Sequence, residues 1–219
     1  MKKNNECLQV DGEVKKAKQN VLNHTEVRHQ GTKEKKDSFY EKTYVSVNPG
    51  EEEEYLTNFF TNLEEFTNPF YKLNSLKKMV TPFLVEKGMK EATFQYGNHA
   101  YIDMSKLGFT TGRGKKRKLH SLKMMSNLQL SMQWRRFKSS EDSDKKNILV
   151  VYLFNPIVHE STIYEYEAEE VHYKLVLPIF KSWENHRVHV WAFWYQVCAD
   201  EIQSNSKSQY VGEITILKK

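Results

Sequence analysis

Val188-His-Val-Trp-Ala-Phe-Trp-Tyr-Gln-Val197 is apolar at nearly every position. Successive side chains of a strand point to opposite faces, so a half-solvated strand alternates apolar with polar. This stretch does not alternate. His189, Trp191, Phe193, Tyr195 and Val197 share one face, and Val188, Val190, Ala192 and Trp194 share the other. Ile148 to Phe154 reads the same way. Both strands are therefore expected to be covered on two sides, because an apolar patch of that size is left bare only at interaction sites.

Working outward, shorter strands with turn signals between them fill the C-terminal half. Leu128, Leu130, Met132 and Trp134 alternate with Asn127, Gln129, Ser131 and Gln133, which gives one buried and one wet face. Asn155-Pro156 turns the chain, and Thr162, Tyr164 and Tyr166 sit in a weaker strand. Val171, Tyr173, Leu175 and Leu177 alternate with His172 and Lys174. Tyr210, Ile214 and Ile216 belong to a closing strand, after a polar loop at Asp200 to Ser208. A seventh strand is expected near Leu119 to Met125. Strands of this length without intervening helices predict an antiparallel β-sandwich of immunoglobulin or fibronectin type III character. In that order the strands at Ile148 and Val188 are third and sixth and pair in one sheet. Trp134 becomes the core tryptophan of the second strand.

The N-terminal half is different. Residues 1–38 hold nine Lys/Arg against six Asp/Glu and little apolar periodicity, so they are expected to form a disordered polar tail. Phe39 to Val47 reads as a strand or arm. Glu51 to Glu54 opens a helix whose positive dipole end suits acids, and Tyr55, Phe59, Leu63 and Phe66 form its apolar stripe. Asn68-Pro69 is read as its end. A second helix is expected from Tyr71 to Lys87, with Leu73, Leu76, Val80, Phe83 and Leu84 inward, Pro82 as a kink or break and Gly88 as C-cap. Phe94, Tyr96, Tyr101 and Ile102 suggest extended pieces around a turn at Gly97-Asn98. The chain thus divides into a tail (1–38), a helical and linking region (39–111) and a sandwich (112–219). The expected cover for the aromatic sheet is the stripe Tyr55, Phe59, Leu63, Leu76, Val80 and Phe83. The fold class is α+β, an N-terminal helical segment packed on a C-terminal sandwich.

Composition bounds the function loosely. In 219 residues, 39% are hydrophobic and 13% aromatic, and the net charge is +5. The mean hydropathy of -0.71 fits a chain with a solvated part. The two cysteines, Cys7 and Cys198, lie at opposite ends and read as free thiols of a reducing compartment. No apolar run suits a signal peptide or a membrane span, so a cytoplasmic location is expected.

Constellations that carry chemistry are few. Arg113, Lys115, Lys116, Arg117 and Lys118 form a basic run with Gly112 and Gly114. Such a run binds phosphate backbone with release of counterions, or is simply a solvated loop. The eight histidines show no CxxC, HxH or HExxH spacing, so no metal and no cofactor are expected. No Gly-x-Ser-x-Gly elbow exists, and Thr110 to Lys115 lacks phosphate-loop spacing. Trp191, Phe193, Trp194 and Tyr195 are either packed between layers or form an interaction face.

Five stretches also carry a resemblance. They are Leu130-Ser-Met-Gln-Trp134, Asn147-Ile-Leu-Val-Val-Tyr-Leu-Phe-Asn-Pro156, Leu175-Val-Leu-Pro178, Val188-His-Val-Trp-Ala-Phe193, and Ser204-Asn-Ser206 with Gln209-Tyr-Val-Gly212. Their order resembles a Bacteroidota family of uncharacterised proteins, a domain of unknown function. Leu76 to Gly88 and Tyr101-Ile-Asp-Met-Ser105 fit its helical and linking region. The N-terminus departs, because the family opens with a glycine-rich segment and this chain with a Lys/Asn/Glu-rich one. The resemblance implies the fold and no activity. The expected function is a non-catalytic protein-interaction or structural module, with an unknown protein partner or self-assembly. The alternative is a nucleic-acid-associated protein using residues 113–118.

Overall fold

The computed structural model describes residues 43–72, 77–110, 112–114, 119–125, 128–134, 145–168, 174–199 and 201–217, with side chains described outside 64–80 and 120. The tail, Cys7, Phe39, Lys115 to Lys118, and the side chains of Leu76 and Val80 lie outside the described residues.

The described chain is mostly antiparallel sheet, with two helices. Tyr44–Val47 (β1), Thr93–Tyr96 (β2) and His99–Asp103 (β3) form a three-stranded sheet in the order β1-β3-β2. The β2–β3 hairpin turns at Gly97-Asn98 as expected, with Gly97 at φ +61° where L side chains are strained. Between β1 and β2 run helices Glu52–Lys72 (α1) and Lys77–Glu91 (α2).

Both helix ends differ from the sequence reading. Helix α1 continues through Asn68-Pro69. A proline inside a helix forfeits one hydrogen bond, a loss that burial of Leu56, Phe59, Phe60 and Leu63 in the preceding turns outweighs. Helix α2 continues through Gly88, which is not a C-cap. A Cβ there would lie 3.2 Å from Leu56 Cδ1 and 3.3 Å from Leu107 Cδ2, so the missing side chain lets α2 approach α1. Leu84 and Val85 are buried, whereas Phe83 is 54% exposed and does not join the inward stripe.

The remaining strands are Leu119–Met125 (β4), Gln129–Trp134 (β5), Lys145–Asn155 (β6), Glu160–Glu167 (β7), Lys174–Pro178 (β8), Arg187–Cys198 (β9), Glu201–Asn205 (β10) and Gln209–Thr215 (β11). One sheet has the order β4-β5-β8; the other runs β10-β9-β6-β7, with β11 also on β9. The pairing of the two doubly apolar strands is present, from Lys145↔Cys198 to Phe154↔His189. The expected polar loop at Asp200 to Ser208 instead holds β10, which pairs with the last turn-ward residues of β9. That end of β9 would otherwise leave backbone donors and acceptors unpaired. Strands β10 and β11 together flank β9 as one strand interrupted at 206–208.

Buried side chains fall into two clusters on opposite faces of β6 and β9. One joins Leu130, Met132, Trp134, Leu175 and Leu177 to Leu149, Val151, Val190 and Trp194, between the β4-β5-β8 sheet and the five-stranded sheet. The other joins Tyr55, Phe59, Phe60, Leu63, Leu84 and Ile102 to Tyr152, Phe154, Trp191 and Phe193. The second cluster therefore draws on both sides of the boundary drawn at residue 111.

Candidate functional site

Trp191, Phe193, Trp194 and Tyr195 are all buried, at 0, 0, 4 and 9% exposure. As an interaction face they are a correction: Trp194 meets Trp134 edge to face at 5.6 Å, while Trp191 and Phe193 belong to the opposite cluster. Their covers are rings from outside the sheet. Phe59 lies 5.5 Å from Trp191, 5.8 Å from Tyr152 and 5.0 Å from Phe154, centroid to centroid. Phe109 lies 5.7 Å from Phe193 and 5.6 Å from Tyr152. Trp191 also donates its Nε1–H to the Leu107 carbonyl at 3.1 Å.

The segment after Leu107 is fixed where the strand flanking β9 breaks. Ser206 N–H donates to the Trp194 carbonyl at 2.7 Å, and Trp194 N–H donates to Ser206 Oγ at 2.9 Å. The Ser206 hydroxyl thus replaces a backbone acceptor. Ser208 Oγ accepts from the N–H groups of Phe109 and Thr110, and Thr110 Oγ1 donates to the Ser206 carbonyl at 2.7 Å. Gly114 N–H donates to the Asn205 carbonyl at 2.7 Å, and Gly114 bridges Ser206 in parallel. A Cβ at Gly112 would lie 2.0 Å from the Asn205 carbonyl oxygen, and one at Gly114 2.7 Å from it. Only glycine fits at these two positions, and the spacing of Gly112-Arg113-Gly114 is a sequence signal for this close approach.

Arg113, between them, is exposed and makes no hydrogen bond or ion pair among the described residues. Its side chain borders a cavity of about 310 Å³ with Asn147, Gln196, Ser204 and Ser206 on its walls. Ser204 Oγ donates to Gln196 Oε1 at 3.2 Å, and Gln196 Nε2 donates to Asn147 Oδ1 at 3.1 Å. Sequence reading singled out Arg113 and missed the amide and hydroxyl partners, which lie on three strands.

A second surface was also missed. Register places Tyr44, Ser46, Phe94, Tyr96, His99, Tyr101 and Asp103 on one face of the three-stranded sheet, opposite Val45, Ala100 and Ile102. Ala100 and Ile102 are fully buried, and Val45 and Val47 pack against the Phe59 cluster. On the outer face Phe94 and Tyr101 lie 5.5 Å apart with ring planes at 17°, and Tyr44 meets Phe94 at 5.1 Å edge to face. Tyr96 is 65% exposed. This face carries no Lys or Arg, and its one acid, Asp103, accepts from Ser105 N–H and Oγ.

Among the described residues no group of three or more His, Cys, Asp or Glu is placed to hold a metal. No helix of the described residues is long and apolar enough to cross a membrane. Cys198 is a free, half-buried thiol. His189 is buried and hydrogen-bonded to the Tyr210 hydroxyl at 2.9 Å. Burial, with the Arg187 charge adding to it, pushes the His189 imidazole down to about 4. Comparisons with family models, with curated proteins and with solved structures find no match.

Proposed function

We propose that the chain is a non-catalytic protein-interaction module built on an immunoglobulin or fibronectin type III-like sandwich whose outer aromatic sheet is covered by the helical segment. Strand order supports the fold. The first, second and fifth strands (β4, β5, β8) oppose the third, fourth, sixth and last (β6, β7, β9, β11), a division that suits this class. The ring contacts of Phe59 support the helical cover. Kinship with the Bacteroidota family rests on the five stretches quoted above, which fall on β5, β6, β8, β9 and the β10–β11 pair.

One observation carries the interaction reading: the aromatic outer face of β1, β2 and β3. Its other side is packed, so these rings are not needed to close the core. Tyrosine is enriched at protein interfaces, where a rigid ring with a polar tip contacts a partner at low entropic cost. The lack of cations on this face argues for a protein surface with apolar or aromatic groups rather than a phosphate backbone. The test compares the proteins crosslinked in cells to the full chain and to its Tyr96→Ser and Phe94→Ser variants. A partner, or a second copy of the chain, should be lost in the variants and retained between about 50 and 200 mM salt. Capture that the variants leave intact, or that salt abolishes, would overturn the assignment of this face.

A further inference from the structure

The cavity beside Arg113 is lined by β6, β9 and β10, not by the sheet that carries the aromatic face, and has a chemistry of its own. Along one face of β9, Val188, Val190, Ala192 and Trp194 are apolar and buried, and the next residue is Gln196. Its register partner on β6 is Asn147, after Leu149 opposite Trp194. Its partner on β10 is Ser204. The apolar core between the sheets thus ends in a layer of amides and a hydroxyl, linked by the Ser204–Gln196–Asn147 hydrogen bonds. The space above that layer has room for about ten waters at roughly 30 Å³ each. It sits at the lower end of the range of small-molecule sites, about 300–1,000 Å³.

Charge decides what this space suits. Among the described residues no carboxylate lines it, and the single ionised side chain is Arg113. The backbone on both sides of Arg113 is pressed onto β10 by two glycines, so the guanidinium projects from a fixed base. A guanidinium without a partner beside amide and hydroxyl groups matches an oxyanion, which accepts two parallel N–H bonds from arginine.

We propose that the cavity binds a small compound bearing a carboxylate or phosphate group, held by Arg113 at the mouth and by the second Nε2–H of Gln196 on the wall. A space of about 310 Å³ suits one small molecule, whereas a nucleic-acid strand needs a basic groove that tracks its backbone.

The test titrates the full chain with inorganic phosphate and, separately, with acetate, at constant ionic strength set with chloride. The side-chain amide signals of Gln196 and Asn147 and the Arg113 Nε–H are followed by NMR. A saturable shift of these signals with at least one probe is expected. Arg113→Gln should weaken it at least about tenfold with an unchanged melting temperature, because the residue is exposed. Lys123→Gln, an exposed cation on β4, should change it less than twofold. Which probe binds more tightly distinguishes a phosphate from a carboxylate ligand. Shifts no larger than those from chloride alone, or an Arg113→Gln variant that binds like the parent, would overturn the proposal. So would tight binding of a 5′-phosphorylated oligonucleotide without any shift of Gln196, which would assign the basic stretch to nucleic acid instead. None of these outcomes touches the aromatic face, so the two proposals stand or fall separately.

Discussion

Trp191, Phe193 and Tyr195 on β9 and Phe94, Tyr96 and Tyr101 on β2 and β3 are both aromatic rows on antiparallel strands. The first row is buried; in the second Tyr96 is exposed and Phe94 and Tyr101 are half-buried. The rings do not differ in kind; their neighbours do. Phe59 and Phe109 come from distant sequence to lie on the β9 row, which sits in a set of tilted and edge-to-face ring contacts. The β2–β3 row meets rings of its own sheet: Phe94 meets Tyr44 and Tyr101, and Tyr101 meets His99. An aromatic row therefore marks a core or an interface according to whether the topology supplies a second layer, and strand composition alone does not distinguish the two.

The sharpest way to break this comparison is to truncate a ring of the buried row or of its cover. Phe59→Ala or Trp191→Ala should cost about 3–5 kcal/mol, the usual loss for a buried large ring. Urea melts of each variant measure it. A loss below about 1 kcal/mol would mean that the two rows are alike in burial after all.

Acid should act on the buried row and spare the open one. His189 stands beside Trp191 and the Tyr210 hydroxyl, with the Arg187–Glu213 ion pair at 3.7 Å nearby. Its folded value of about 4 lies below the unfolded value of about 6.5. The neutral form is therefore the folded one. Stability from this group is complete above about pH 6.5 and falls as pH drops, by about 3 kcal/mol at pH 4. Urea midpoints from pH 7.5 to 4 should fall less steeply in His189→Gln. Parallel pH curves for the two proteins would remove His189 from the account.

A smaller effect tests how the buried row is closed. Ser208→Ala removes the acceptor of the Phe109 and Thr110 N–H groups and should cost about 1–3 kcal/mol. Hydrogen exchange at those two amides should rise with it. Unchanged exchange would mean that other acceptors hold this segment over β9.

The smallest expected effect is on the open row. Tyr96→Ser should stay within about 0.5 kcal/mol of the parent, as surface substitutions do. A larger loss in thermal melts would mean that the outer face supports the fold and is not reserved for contact.

The sequence alone determined most strand positions after residue 118, the pairing of the two doubly apolar strands and the need for cover on both of their faces. Period-two alternation and its absence are local properties, and turn residues mark strand ends without reference to the rest of the chain. The β2–β3 hairpin at Gly97-Asn98 was legible for the same reason. Local signals misread Gly88 as a cap, Phe83 as an inward residue and the segment at Glu201–Asn205 as a loop. A partner remote in sequence decided the first, with Leu56 and Leu107 against Gly88, and the edge of β9 decided the last, beside Glu201–Asn205; in the second, its neighbours Leu84 and Val85 are buried in place of Phe83. Arg113 was legible as a cation, but its cavity was not. Gln196, Asn147 and Ser204 are ordinary polar residues in sequence. They become one hydrogen-bonded wall only because strand register aligns β6, β9 and β10, and register is set by the whole sheet.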